Sequence, residues 1–234
     1  MMHFLKKALD MKYLLLSHAI DENTPLYGST PMPRILPCSQ ISKGDASNTV
    51  VISIHNHTGT HIDAPKHFID GGKSISEYTL DELVFKNPVI VDCLKDGESL
   101  IFPDDLQHAS QILQKSDCLL LHTGFGKYRS EEKYRAYNPG ISQETILWIR
   151  KEYPNIRCIG IDSISISSFQ HRSEGIEAHK AAFNIKEGLG EPLLLIEDMN
   201  LRTSLNSKLK LVIVFPWQVN GIDSVPCTVL AEIE

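Results

Sequence analysis

The chain reads as an α/β protein built on a mixed β-sheet with flanking helices. Short apolar or β-branched runs alternate with helical segments through the middle of the chain, and such runs follow one another directly at both ends. The regular alternation that builds an eight-fold barrel is missing. A length of 234 residues suits one sizeable domain spanning residues 1–234, and no repeat or low-complexity linker divides it.

The elements follow in order. Lys12 to Ala19 reads as a strand, and Asp21 to Pro37, rich in Pro, Gly, Ser and Asn, as a loop. Thr49 to His57 is β-branched and partly alternating, which predicts a strand. Ser76 to Glu82 predicts a short helix opening at a serine cap, and Pro88 to Cys93 a buried strand. Pro103 sits at a plausible first position of a helix over Pro103 to Gln114. Cys118 to His122 is an apolar strand closed by Thr123-Gly124. Ser142 caps a helix running to Tyr153, with Ile146, Trp148 and Ile149 as apolar positions. Cys158 to Ile161 is a strand ending at Asp162, and Glu177 to Ile185 is helical. Leu193 to Ile196, Leu209 to Phe215 and Pro226 to Ile233 read as the last strands.

Hydrophobic residues make up 42% and charged residues 22% of the chain, as in an ordinary globular protein. The net charge of -6 without a basic cluster argues against a nucleic-acid partner. Near the start, Lys6 and Lys7 precede a hydrophobic stretch, but Asp10 and Lys12 interrupt it, so no signal peptide is expected. No stretch reaches transmembrane length. The five cysteines, Cys38, Cys93, Cys118, Cys158 and Cys227, form no CxxC pair; reduced structural thiols in a cytoplasmic protein are expected.

The chemistry concentrates in His57-Thr-Gly-Thr-His61-Ile-Asp63-Ala-Pro-Lys-His67-Phe68. Imidazole and carboxylate are ligands that zinc and similar divalent ions favour. A strand running straight through would place His57, His61 and Asp63 on one face. It would also hold the two histidines ~13 Å apart at about 3.3 Å per residue, too far for one ion. A continuous helix would turn Asp63 by roughly 200° away from His61. The chain must therefore bend between the histidines, and Gly59 bends most freely. Pro65 then restricts Ala64 to extended conformations and directs His67, which is either a further ligand or an unligated acid–base group. His55 forms an HxH pair with His57. The chain is short for an amidohydrolase barrel, and Thr58 to Thr60 breaks the metallo-β-lactamase pattern, so His55 reads as a structural neighbour.

The His57–Phe68 segment resembles the HxGTHxDxPxH motif of the cyclase-like metal hydrolases, a family that includes bacterial kynurenine formamidase and isatin hydrolase. Leu16-Ser-His-Ala-Ile20 with Pro25-Leu-Tyr27-Gly28 resembles the family's N-terminal strand and substrate-side loop. Leu121-His-Thr-Gly124-Phe125, Gly160-Ile-Asp162-Ser163-Ile-Ser165 and Ile196-Glu197-Asp-Met-Asn200-Leu201 resemble its "TGW/F", "GIDxxS" and "IENLxNL" segments. Pro216 to Ile233 resembles its closing strands.

The resemblance implies the swivelling β/β/α, cyclase-like fold and a centre of one or two divalent ions, zinc or manganese. His57, His61 and Asp63 would bind the first, with Asp63 able to bridge; His179 and Glu197 would complete the site, and His67 would be the acid–base residue. A longer interval from His179 to Glu197 than expected, through an insertion around Lys186 to Pro192, leaves His171 as a rival to His179, and Asp198 or Glu191 as rivals to Glu197. Tyr27-Gly28 replaces an aromatic-Pro-Gly arrangement, and Cys227 stands where many relatives carry an arginine. Tyr27 and Phe125 are candidates for an aromatic wall around a small-molecule substrate. The implied activity is hydrolysis of a C–N amide bond, in an arylformamide or a cyclic amide, by metal-activated water with His67 moving the proton. The alternatives are a metal-dependent lyase or cyclase on the same scaffold and a binding protein that kept the metal without catalysis. A homo-oligomer, a dimer or tetramer, is expected from the resemblance.

Overall fold

A computed structural model describes residues 12–202, 204 and 207–233; Lys6, Lys7 and Asp10 lie outside the described residues. The strands run β1 (Tyr13–Leu15), β2 (Arg34–Ser39), β3 (Thr49–Ser53), β4 (His61–Asp63), β5 (Val84–Phe85), β6 (Pro88–Asp92), β7 (Leu100–Ile101), β8 (Cys118–His122), β9 (Gly140–Ile141), β10 (Cys158–Ile161), β11 (Leu194–Glu197), β12 (Leu209–Pro216) and β13 (Ser224–Ile233). Nine of them form one mixed sheet in the order β5-β12-β13-β4-β11-β10-β8-β6, with β1 also paired to β13. The strands β6, β8, β10 and β11 are parallel, whereas β4, β13, β12 and β5 pair antiparallel. The two ends of this path, β5 and β6, are consecutive in the chain and separated only by Lys86-Asn87, so the sheet must curl almost onto itself.

The apolar runs of the parallel strands are continuous because both faces are buried. Leu119, Leu121, Ile159, Ile161 and Leu195 face the Gln143–Glu152 and Arg172–Phe183 helices through Ile146, Ile149, Ala178 and Ala182. Alternate residues Cys118, Leu120, Cys158, Leu194 and Ile196 face the inside of the curl, against Ile62, Val212 and Val229. Ser142 caps its helix as expected, its side chain accepting from the Thr145 amide at 3.1 Å. Among the described residues no helix is long and apolar enough to cross a membrane.

Several expected elements differ. The first strand shrinks to β1. The Asp21–Pro37 loop gives way at Arg34 to β2, and Thr49–His57 keeps strand geometry only to Ser53. These two segments pair as an antiparallel hairpin outside the main sheet, where Leu36, Val50, Val51 and Ile52 are about half exposed. Ser76–Glu82 becomes two 3₁₀ turns capped by Ser74 and Thr79. The helix expected over Glu177–Ile185 starts earlier, at Arg172, and ends at Phe183.

Candidate metal centre

The bend required between His57 and His61 is present at Gly59, whose φ of 65° lies in the left-handed region that favours glycine. Beyond it the chain enters β4, a three-residue strand held on both sides. Asp63 pairs with Leu195 of β11 and Ser224 of β13, and His61 with Glu197 and Pro226. Cross-strand pairing thus sets His61 directly beside Glu197. The parity of a strand sends His61 and Asp63 to one face and Ile62 into the core, where it is fully buried.

His179 arrives from the Arg172–Phe183 helix. Gly175, one turn earlier, lets that helix lie against Ser167; a methyl group there would collide with the Ser167 side chain. The His179 ring stacks on Phe68 with centroids 4.8 Å apart. Glu197 is aimed by the Gly160–Ser165 segment: its Oε1 accepts from Ser165 Oγ at 2.9 Å and from the Ile166 amide at 2.7 Å.

Two histidines have their tautomers set by backbone. His61 Nδ1 donates to Gly59 O at 2.9 Å, and His179 Nδ1 donates to Gly175 O at 2.8 Å. Both Nε2 atoms face Glu197, at 3.3 Å from Oε2 and 3.5 Å from Oε1 respectively, and are the nitrogens that would offer a lone pair to an ion once deprotonated. His61 Nε2 and both oxygens of Asp63 are buried without a hydrogen-bond partner, because their approaches to neighbours lack hydrogen-bond geometry. Buried polar atoms in this condition are costly unless something else binds them. An oxygen of Asp63, an oxygen of Glu197 and a nitrogen of His61 lie within 4.8 Å of one another, the separation expected of ligands around one divalent ion. His57, Asp63 and His67 form a second such group, so Asp63 belongs to both.

The second group is organised by Asp223, a residue the sequence reading missed. Its Oδ2 lies 3.1 Å from His57 Nε2 and 2.8 Å from His67 Nδ1, and Asn56 Nδ2 donates to its Oδ1 at 2.8 Å. His57 Nδ1 then points to Asp63 Oδ1 at 3.1 Å. The available signal was Gly221-Ile222-Asp223-Ser224, which repeats the Gly-Ile-Asp-Ser of residues 160–163 immediately before the closing strand.

Charge balances charge here. Burial alone would lower the His57 imidazole; the Asp63 and Asp223 carboxylates override it and push it up to about 10. Burial would raise Glu197, yet the His179 and His61 imidazoles bring it down to about 2. Asp63 is also held well below the usual carboxylate range against its burial, by His61 and His57. Asp223 is pulled down in the same sense by its bonds to His57 and His67. Protons on the histidines thus do the work that a divalent cation does in a loaded site, and the donor set fits such an ion.

His57, His61, Asp63, His67, His179 and Glu197 are therefore brought together, and all but Asp63 line one cavity of about 410 Å³. Among the described residues, the rivals belong to neither ligand group. His171 and Glu191 are exposed, and Asp198 is taken by a two-pronged pair from Arg129 (2.8 and 2.6 Å) and by the Tyr134 hydroxyl at 2.7 Å. Tyr27 lines the cavity. Phe125 does not: the left-handed turn at Gly124 directs it into a small cluster with Tyr134 and Ile164, so it is core and not cavity wall. His55 lies at the cavity rim, and Cys227 is buried inside the curl of the sheet.

The fold agrees with comparisons across known proteins. Residues 14–168 match the Cyclase family, described as "Putative cyclase". A kynurenine formamidase of Geobacillus thermodenitrificans is 29% identical over 177 residues, covering 74% of this chain and 80% of that protein. Isatin hydrolase A from Labrenzia aggregata, solved with benzyl benzoate, superposes with a TM-score of 0.77 at 24% identity and covers 98% of both chains. A solved structure described as a potential metal-dependent hydrolase with cyclase activity gives a TM-score of 0.69 at 25% identity, covering 94% of this chain and 96% of that one. The nearly closed mixed sheet with few flanking helices is shared with these structures, and the chain belongs to the Cyclase family of metal-dependent hydrolases.

Proposed function

We propose that this chain hydrolyses a C–N amide bond, in an arylformamide or a cyclic amide, with one or two divalent ions, zinc or manganese, held by His57, His61, Asp63, His179 and Glu197. The observation that carries the proposal is the set of unpartnered buried atoms, His61 Nε2 and both Asp63 oxygens, beside a histidine held in a carboxylate pair within the same cavity. A bound divalent ion would supply hydroxide near neutral pH and stabilise oxyanion charge. Asp63 belongs to both groups of possible ligands, which supports a centre that would hold one or two ions.

The proton is handled by His67. With Nδ1–H donated to Asp223, its Nε2 keeps a lone pair that takes the proton from the attacking water. As the C–O bond forms and the C–N bond breaks, the same nitrogen returns that proton to the departing amine. Asp223 orients the ring and fixes its tautomer. Tyr27 and Phe68 line the same cavity and offer apolar surface to an aryl group.

Hydrolysis of an arylformamide panel in heavy-oxygen water tests this reading: incorporation of one solvent oxygen into the acid product, abolished by chelation and restored by added metal, is expected. A product without solvent oxygen assigns the site to lyase or cyclase chemistry instead. We further propose a cytoplasmic homo-oligomer, supported by five free cysteines and by the half-exposed apolar hairpin β2–β3, with light scattering as the test of assembly.

A further inference from the structure

The face of the Arg172–Phe183 helix that carries His179 also carries Ile176 and Arg172, at the spacing i, i+4, i+7 that shares one side of a helix, and all three line the cavity. Seven residues at about 1.5 Å rise separate Arg172 from His179 by about 10 Å along the axis. The cavity wall therefore runs from the metal centre, past an apolar middle, to a guanidinium.

That guanidinium is held in place without being neutralised. Its Cζ lies 4.1 Å from the centre of the Phe169 ring, and Phe169 meets Tyr27 edge-on at 5.7 Å. It also approaches Gly28, where a methyl group would come within 3.9 Å of Arg172 Nη2. Among the described residues, no carboxylate forms an ion pair with it. The acids nearby are committed: Glu197 to Ser165 and Ile166, Asp198 to Arg129 and Tyr134, and Glu174 to the Gln143 amide. A guanidinium packed on an aromatic ring and without a carboxylate partner among the described residues is suited to donate to a carboxylate through two bonds.

We propose that Arg172 recognises an anionic group on the substrate, so that the preferred substrate is an amide whose ring-sized apolar body carries a carboxylate at the end remote from the scissile bond. This specificity assignment rests on the amide-hydrolase reading above. A neutral amide of the same size would fill the apolar middle but leave Arg172 without a partner.

Two measurements on the metal-loaded protein test it. Formanilide and 4-formamidobenzoate are compared by kcat/KM in wild type, Arg172→Gln and Arg172→Lys. 4-Aminobenzoate and aniline are compared by calorimetry in the same proteins. Wild type should prefer the carboxylated member of each pair by about tenfold or more. Arg172→Gln should bring both preferences near parity, mainly through KM, and Arg172→Lys should keep part of them. Because Arg172 is exposed, its variants are expected to fold, which melting curves check. An equal preference in wild type and Arg172→Gln overturns the proposal, since the carboxylate would then sit elsewhere, on the ion included. No preference in wild type overturns it also. If neither anilide turns over while the binding contrast follows Arg172, the amide reading fails and the anion site stands.

Discussion

The two halves of the centre share Asp63 but are built differently. His61, Asp63, His179 and Glu197 are buried, and their geometry is set by backbone: strand pairing for His61 and Glu197, carbonyls of Gly59 and Gly175 for the two imidazoles. His57 and His67 are partly exposed, and their geometry is set by one side chain, Asp223. The first half leaves donor atoms without partners, as a metal cradle does before it is filled. In the second, Asp223 fixes which ring nitrogen of His67 is protonated, as a proton carrier requires, while His57 turns its Nδ1 toward Asp63. A rigid backbone frame suits holding an ion, and a side-chain carboxylate beside a reachable imidazole suits moving a proton.

The largest effect should come from the residue common to both halves. Asp63→Asn is expected to remove most of the bound metal, measured by elemental analysis, and with it nearly all turnover. His67→Gln should separate the functions: metal content near wild type, with kcat lower by about 10²–10⁴-fold. Loss of metal in that variant would make His67 a ligand and erase the distinction. Asp223→Asn should keep the metal and lower kcat by about 10–100-fold, the usual effect of removing the partner that orients a histidine.

Chelation exposes a pH dependence that distinguishes the loaded from the metal-free site. In the metal-free fold His57 sits at about 10, above its unfolded value near ~6.5. Its contribution to stability is complete below that unfolded value and is lost as pH rises toward 10. Glu197 behaves oppositely: pulled down to about 2, it stabilises above its unfolded value near ~4.3 and is lost as pH falls toward 2. The melting temperature of chelated protein should therefore fall between pH 7 and 10. The loaded protein should lose less over that window, because the ion replaces the protons. The smallest expected effect is on stability: Gly175→Ala should cost about 1–3 kcal/mol by overpacking against Ser167, with weakened metal binding as the His179 helix shifts.

How much of this could be read from sequence follows the same division. The parallel strands were legible because β8, β10 and β11 are apolar on both faces and bounded by turns. The bend at Gly59 was legible because neither a strand nor a helix gathers His57, His61 and Asp63. The strand character of His61–Asp63 was not: three residues carry no periodicity, and pairing with β11 and β13 imposes it. The hairpin strand Arg34–Ser39 was hidden by Pro37, which reads as a loop but is tolerated on an exposed edge. His179 and Glu197 were reached by resemblance, and Asp223 was missed, because the repeated Gly-Ile-Asp-Ser before the closing strand does not reveal that the acid folds back onto His67, 156 residues away. Phe125 was misplaced because spacing after Thr123-Gly124 does not reveal the direction in which a left-handed turn sends the chain.

The central claim is that the buried half, joined by His57 at its edge, holds the ion and that His67 on Asp223 moves the proton. Calorimetric titration of Zn²⁺ into chelated wild type, Asp63→Asn and His67→Gln tests it most directly. The account predicts wild-type affinity in His67→Gln and little or no binding in Asp63→Asn, with wild type releasing protons from its histidines as metal enters. Equal loss of binding in both variants, or wild-type binding in Asp63→Asn, would contradict it.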